Sequence, residues 1–250
     1  MIRCAESSPP SRPTLDYATS VMPNDETPEV LATTADIIRN ARSTSQESAM
    51  HQNSVILYKL YAAPLIKPGM KVLEIGPDKF PTTLQDISHK SGITWDILGL
   101  EDYPGFNVIK AKSEYEYPIA DETYDVVVAA NVLEHVRKPW VWMRELARIV
   151  RKGGLVMTVN PVSWPYHEAP IDCWRAFPEA MQALFDEAGL VTVDNRFESH
   201  EPIRSRNDTP GRTITAYGWK HQLLDRLLGM IGYPQERSHD IVSVGRRPDA

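Results

Sequence analysis

Cysteine is nearly missing from this chain. The two present in 250 residues, Cys4 and Cys173, are too few for a disulfide framework or a cysteine-rich zinc site, so a reducing, cytoplasmic compartment is the simpler expectation. Neither is expected to be catalytic. No run of about 18 apolar residues occurs, so no membrane helix is expected, and Met1-Ile2-Arg3-Cys4-Ala5-Glu6-Ser7-Ser8-Pro9-Pro10 lacks the apolar stretch of a secretory signal. An excess of positive charge is missing too. Against 27 basic side chains stand 33 acidic ones, a formal net charge of -6, which removes any general electrostatic reason to bind DNA, RNA or an anionic bilayer. A soluble protein with a small, neutral or cationic partner remains, without nucleic acid or membrane, and internal repeats are absent.

Residues 1 to about 26 are rich in Pro, Ser, Thr and Asp and carry little apolar periodicity, which points to a flexible arm or a segment ordered only on binding. From Thr27-Pro28 the pattern turns helical, with Val30, Leu31, Ile37 and Ile38 on part of an apolar face. Residues 1–45 are accordingly read as an extension with a lid helix, or with a helix that merely packs on the surface, and 46–250 as one domain with an insertion near 199–238. A second helix is expected over Ser54–Tyr61, ending before Pro64.

Beyond the turn at Lys67-Pro68-Gly69, strands and helices alternate as a mostly parallel sheet with helices on both faces requires. Strands are predicted at Lys71–Ile75, Thr94–Leu100, Asn107–Lys110, Asp125–Ala130 and Leu155–Asn160. Pro139 opens a helix whose stripe is Trp140, Met143, Leu146, Ala147 and Val150, with Gly153-Gly154 as its end. A further helix is predicted at Pro178–Ala188, stopped by Gly189. Val191–Asp194 and Ile241–Val244 follow as an antiparallel edge, separated by a helix around Tyr217–Met230.

Two stretches carry the chemistry. Lys71-Val72-Leu73-Glu74-Ile75-Gly76-Pro77-Asp78 is an apolar strand ending in an acid and a glycine, and Tyr124-Asp125-Val126-Val127-Val128-Ala129-Ala130-Asn131-Val132-Leu133-Glu134-His135-Val136 follows some fifty residues later. Over roughly residues 50 to 200 the chain resembles a class I S-adenosylmethionine-dependent methyltransferase. The resemblance implies a Rossmann-like fold with a seven-stranded sheet and S-adenosylmethionine as cofactor. Asp78 and Phe80 occupy the later positions of the family's three-glycine turn. They would obstruct backbone approach to a pyrophosphate, whereas a sulfonium nucleoside brings no phosphate for the acid to repel.

By that resemblance, Glu74, Gly76, Pro77 and Asp78 line the cofactor turn. Glu101, with Asp102 as the alternative, accepts both ribose hydroxyls unless it is an ordinary loop acid. The family's adenine-contacting Asp would align near Ser113-Glu114, where no Asp stands. Asn131 is placed to meet the methionine part, and Glu134 and His135 are expected to fix the loop more than to catalyse.

Residues after the fifth strand face the ligand end of such a sheet. There the segment from Asn160 to Arg175 concentrates His167, Glu168, Asp172 and Arg175 with Trp164, Tyr166 and Trp174. His167 is the candidate base for a hydroxyl nucleophile, since imidazole titrates near neutrality, with Glu168 or Asp172 orienting its ring. Alternatively Asp172 pairs with Arg175 and the cluster only stabilises the loop. Trp164, Tyr166, Trp174 and Arg175 are candidates for binding an acceptor such as a sugar, unless the aromatics are core. A divalent metal (Mg²⁺) held by the loop acids is a further option, although no metal-ligand spacing stands in the sequence. The expected activity is O-methylation of a small molecule, a sugar or oligosaccharide by weaker likeness to carbohydrate methyltransferases, by a chain that also forms a homodimer. N- or C-methylation, or a catalytically degenerate cofactor-binding partner subunit, are the rivals.

Overall fold

The computed structural model describes residues 50–88, 92–164, 166–167, 170–201, 204–205 and 219–249. The expected extension, with the lid or surface helix predicted in it, lies outside the described residues, as does much of the expected insertion. The first helix, α1 (Gln52–Leu57), widens into a π turn over Tyr58–Ala62 and tightens into a 3-10 turn at Ala63–Leu65. It therefore begins before the predicted Ser54 and runs beyond Tyr61, because its buried stripe of Ile56, Leu57, Tyr58 and Ala62 continues to Ile66.

Strand β1 (Lys71–Ile75) has the predicted bounds, and a short helix α2 (Thr83–Ser88) that the sequence pattern did not announce follows it. Then come β2 (Thr94–Gly99), β3 (Val108–Lys110), β4 (Tyr124–Ala130) and the helix α3 (Pro139–Ile149). Strand β5 (Val150–Pro161) starts where α3 stops, so Gly153-Gly154 lies inside a strand and does not cap the helix. Gly154 is there for space: a Cβ would stand 2.7 Å from the Asp125 carbonyl oxygen on the neighbouring strand. The chain continues through α4 (Pro178–Glu187), β6 (Val191–Glu198), β7 (Arg204–Ser205), α5 (Trp219–Met230), β8 (Gln235–Glu236) and β9 (Asp240–Arg246). The C-terminal strands are longer than their apolar centres, because antiparallel pairing extends Phe197 and Glu198 against Ile241 and Asp240.

Seven strands form one sheet in the order β3-β2-β1-β4-β5-β9-β6, with β7 and β8 as a separate ribbon. The first five are parallel, and β9 runs antiparallel between β5 and β6. Strand alternation divides the core. Leu73, Ile75, Val127 and Ala129 pack with Trp142, Met143, Leu146 and Phe185 from α3 and α4. Val72, Val126, Val128 and Met157 pack on the other face with Ile56, Leu57 and Leu84. Each such buried side chain contributes about 1.5–3 kcal/mol relative to exposure, so the two faces hold the strand ends in register. Polar ties seat α1 beneath the C-terminal edge: Ser54 Oγ donates to Asp240 Oδ2 at 2.9 Å, and the Asn53 N–H donates to Glu201 Oε1 at 3.1 Å. Among the described residues, no helix is long and apolar enough to cross a membrane.

Candidate active site

Successive parallel strands run outward in opposite directions from the β1–β4 pair, and such a switch point opens a crevice beyond the strands' carboxyl ends. Gly76 follows β1 at this crevice with φ +76°, a left-handed conformation, and a Cβ there would meet Val132 Cγ2 at 2.8 Å. Asn131 follows β4, also left-handed at φ +55°, its N–H donating to the Val159 carbonyl at 2.8 Å. The Asn131 amide nitrogen donates to His51 Nδ1 at 3.3 Å, while its buried Oδ1 has no hydrogen-bond partner among the described residues.

Three of the acids predicted on the cofactor side, Glu74, Asp78 and Asp102, have protein partners. Glu74 is buried, and its Oε2 accepts from Thr82 Oγ1 at 2.5 Å and from Trp95 Nε1 at 2.9 Å. Burial raises its pKa to about 7 against the help of these two donors. The Asp78 carboxylate accepts from the backbone N–H and hydroxyl of Thr83, at 3.0 and 2.6 Å, which places it over the first turn of α2. Asp102 pairs with Lys110 in the open, and Glu101 is exposed one residue before it. Phe80 stacks on Phe106 with ring centroids 4.0 Å apart and meets Tyr103 edge-on, while Tyr103 lies against Gly99 at the end of β2. Ser113, exposed, accepts the Tyr115 N–H at 3.2 Å. Pro77 sits half-buried between Gly76 and Asp78.

Across the crevice the loop after β5 folds back on the turn after β4. The Cys173 N–H donates to the Glu134 carbonyl at 2.7 Å, and His135 Nδ1 bonds the Ile171 carbonyl. Asp172 is the hub: Arg175 forks onto both its oxygens, the His167 N–H donates to Oδ2 at 2.9 Å, and His167 Nδ1 lies 3.3 Å from the same oxygen. Burial works against this carboxylate, but the Arg175 fork and the His167 N–H outweigh it and hold its pKa below the usual range. Both alternatives from the sequence are thus present together, an Asp172–Arg175 pair and an Asp172–His167 contact. Arg175 also donates to the Trp164 and Trp174 carbonyls, a bracing role beyond the acceptor contact expected of it. Glu168 lies outside the described residues.

Three imidazoles meet here, and one of them, His51, carries no signal in the sequence. His51 stacks on Trp164 with centroids 3.8 Å apart and stands 6.2 Å from His167, which meets His135 edge-on at 5.2 Å. Burial, with the nearby His167, Arg175 and His135, lowers the His51 pKa to about 3, so this ring is neutral. A lone histidine ahead of an apolar helix carries no motif; only the tertiary fold brings it to Trp164. Tyr166 is 72% exposed, and Trp174 rests edge-on against Trp140. Glu134 is fully buried, neither carboxyl oxygen meets hydrogen-bond geometry with a described residue, and burial raises its pKa to about 7 against the help of its own N–H, Arg175 and the nearby Asn131 amide.

The crevice suits a methionine-derived zwitterion. Gly76 leaves room where a side chain would intrude, and Asn131 Oδ1 is an unfilled acceptor for an ammonium group. Comparison with known proteins agrees. The methyltransferase domain family matches residues 85–158. A Mycobacterium tuberculosis protein named as an S-adenosylmethionine-dependent methyltransferase is 29% identical over 149 residues, 57% of this chain and 52% of that protein. The rice (Oryza sativa subsp. japonica) chloroplastic 2-methyl-6-phytyl-1,4-hydroquinone methyltransferase 1 is 26% identical over 54% of this chain and 45% of its own length. The chain thus spans about half the length of these curated relatives. Among solved structures, a SAM-dependent methyltransferase from Archaeoglobus fulgidus superimposes with a TM-score of 0.53 at 14% identity, covering 78% of this chain and 92% of that one. The sequence match over residues 85–158 and the shared fold support a class I S-adenosylmethionine-dependent methyltransferase.

Proposed function

We propose that this protein transfers a methyl group from S-adenosylmethionine to a hydroxyl of a small molecule, with a sugar as the acceptor class the loop suits best. The observation that carries the reading is the His167–Asp172–Arg175 arrangement at the rim of the cofactor crevice. S-adenosylmethionine supplies an electrophilic methyl on a sulfonium, so the chain's own work is to hold, orient and deprotonate. Gly76 and Asn131 would hold the methionine part, and Glu101 the ribose.

Arg175 fixes the Asp172 carboxylate, and Asp172 in turn faces His167 Nδ1. A carboxylate on Nδ1 favours the tautomer that places the lone pair on Nε2, the form that takes a proton from an acceptor hydroxyl. Exposed Tyr166 and partly exposed Trp174 offer ring faces against which a sugar's apolar face can lie, and the acidic chain favours a neutral or cationic acceptor over a phosphorylated one.

Calorimetry with S-adenosylmethionine and its demethylated product is expected to give micromolar-range binding. Incubation with labelled methyl donor and a panel of sugars should then transfer label to a hydroxyl oxygen. Absence of binding removes the cofactor assignment, and label found on nitrogen or carbon replaces O-methylation.

A further inference from the structure

Beside the acceptor loop, Glu134, His135 and His167 each offer a ligand atom, and all three atoms lie within 4.8 Å of one another. We propose that they form a site for one divalent ion of the first transition row, such as Zn²⁺ or Mn²⁺. This rests on reading the loop after β5 as the acceptor site. It moves the metal away from the loop acids that the sequence pointed to, since Asp172 is engaged by Arg175.

The independent observation is Glu134. A buried carboxyl whose nearest donors, its own N–H and the Asn131 amide, do not reach hydrogen-bond geometry is costly to keep in a protein, and its situation is relieved by a cation that both neutralises it and fills a lone pair. Its Oε1 lies 3.8 Å from His135 Nε2, against about 3.3 Å between adjacent donors of a tetrahedral zinc site, so side-chain adjustments of a few tenths of an ångström bring the two to an ion.

Outer contacts match what ligating histidines need. His135 Nδ1 donates to the Ile171 carbonyl, leaving the lone pair on Nε2, the nitrogen that faces Glu134. His167 has the carboxylate of Asp172 beside Nδ1, the kind of partner that fixes a ligand's tautomer. Charge also favours a cation: Glu134 and Asp172 are two acids against the single guanidinium of Arg175. Two imidazoles and one carboxylate are a donor set for zinc, manganese or iron, whereas magnesium prefers oxygen. An ion held by three protein ligands keeps open positions, so an acceptor hydroxyl can bind it and become more acidic. With the ion bound, His167 contributes as a ligand in place of its role as base.

The test uses the full chain, stripped with chelator and titrated with Co²⁺. One equivalent should produce visible d–d absorption that Zn²⁺ abolishes by displacement. His135→Ala and Glu134→Gln should each weaken Co²⁺ binding by at least about tenfold, with His239→Ala, at a half-buried histidine outside the cluster, leaving it unchanged. If a variant does not fold, the wild-type chain still decides: Zn²⁺ should raise its melting temperature where Mg²⁺ at the same concentration does not. Absence of a stoichiometric Co²⁺ signal, a signal indifferent to both substitutions, or a melting temperature unmoved by Zn²⁺ overturns the site. Cofactor binding measured on the same metal-free sample separates this failure from failure of the methyltransferase reading.

Discussion

The two sides of the crevice use their polar groups in opposite ways. On the β1–β2 side the acids are matched by local donors: Glu74 by Thr82 and Trp95, Asp78 by Thr83, Asp102 by Lys110. Across from them, around the β4 turn and the loop after β5, three imidazoles crowd together and two buried acceptors, Asn131 Oδ1 and the Glu134 carboxyl, meet hydrogen-bond geometry with no described residue. Satisfied groups stabilise a shape, whereas unsatisfied buried groups mark where a ligand completes the structure. The β1–β2 side is therefore a formed cradle whose main contribution is space at Gly76, and the proposed proton transfer gathers across from it.

The sharpest way to break this contrast is to remove one residue from each side. His167→Ala should lower turnover by about 10²–10⁴-fold while cofactor affinity stays nearly constant, as loss of a proton-removing group does. Gly76→Ala should do the reverse. A Cβ forced 2.8 Å from Val132 Cγ2 in a left-handed conformation costs on the order of 1–3 kcal/mol of strain, so calorimetry should show cofactor affinity falling by about tenfold or more. Equal losses of both properties in both variants would dissolve the distinction.

A smaller effect appears in the pH dependence of three buried carboxyls. Glu74, Glu134 and Asp240 each have folded-state pKa values raised to about 7, chiefly by burial, so each prefers to be protonated in the folded chain. Between the unfolded carboxyl pKa, about 4–4.5, and 7, the unfolded state binds fewer protons at these groups, and stability falls as pH rises. His51, lowered to about 3, acts oppositely up to its unfolded pKa near 6.5, but it is one group against three. Urea denaturation at pH 5.5 and 8 should thus find the chain less stable at pH 8, by a few kcal/mol at most. Glu74→Gln should remove part of that slope under all conditions. Saturating Zn²⁺ should remove part of it in wild type but none in Glu134→Gln. A slope unaffected by Glu74→Gln would mean that Thr82 and Trp95 keep this carboxyl ionised.

How far the sequence reveals all this depends on the range of the interaction. Alternation of Val126, Val127 and Val128 and the Glu74-Ile75-Gly76 ending are local patterns, so the sheet and its ligand end were legible before the structure. Gly153-Gly154 misled because the same residue type serves a helix stop and a close strand approach, and only the Asp125 carbonyl shows which applies. Glu74 was expected to face the cofactor. The donors that take up its carboxylate come from Thr82 and Trp95, 8 and 21 positions away, a pairing no spacing rule encodes. The His51–Trp164 stack and the Glu134–His135–His167 group join three separate stretches of chain, and single-sequence reading has no term for such meetings.

The smallest expected effect tests the least-anchored residue of the cradle. Glu101 and Asp102 were both candidates for the ribose hydroxyls. Asp102 pairs with Lys110 where both side chains are more than half exposed, at 76% and 56%. An exposed ion pair is worth about 0–1 kcal/mol, and the carboxylate leaves it at little cost, so the pairing by itself does not disqualify Asp102. What separates the two is that Glu101, the better alignment to the family position, is exposed next to Tyr103, whose ring covers the end of β2. Asp102→Asn should therefore change the melting temperature by no more than a degree or two and cofactor affinity by less than about threefold, while Glu101→Gln weakens binding by about tenfold through loss of a two-point acceptor. If calorimetry reverses that order, the ribose contact belongs to Asp102 and Lys110 is its displaced partner; if neither matters, the loop after β2 plays no part in holding the nucleoside.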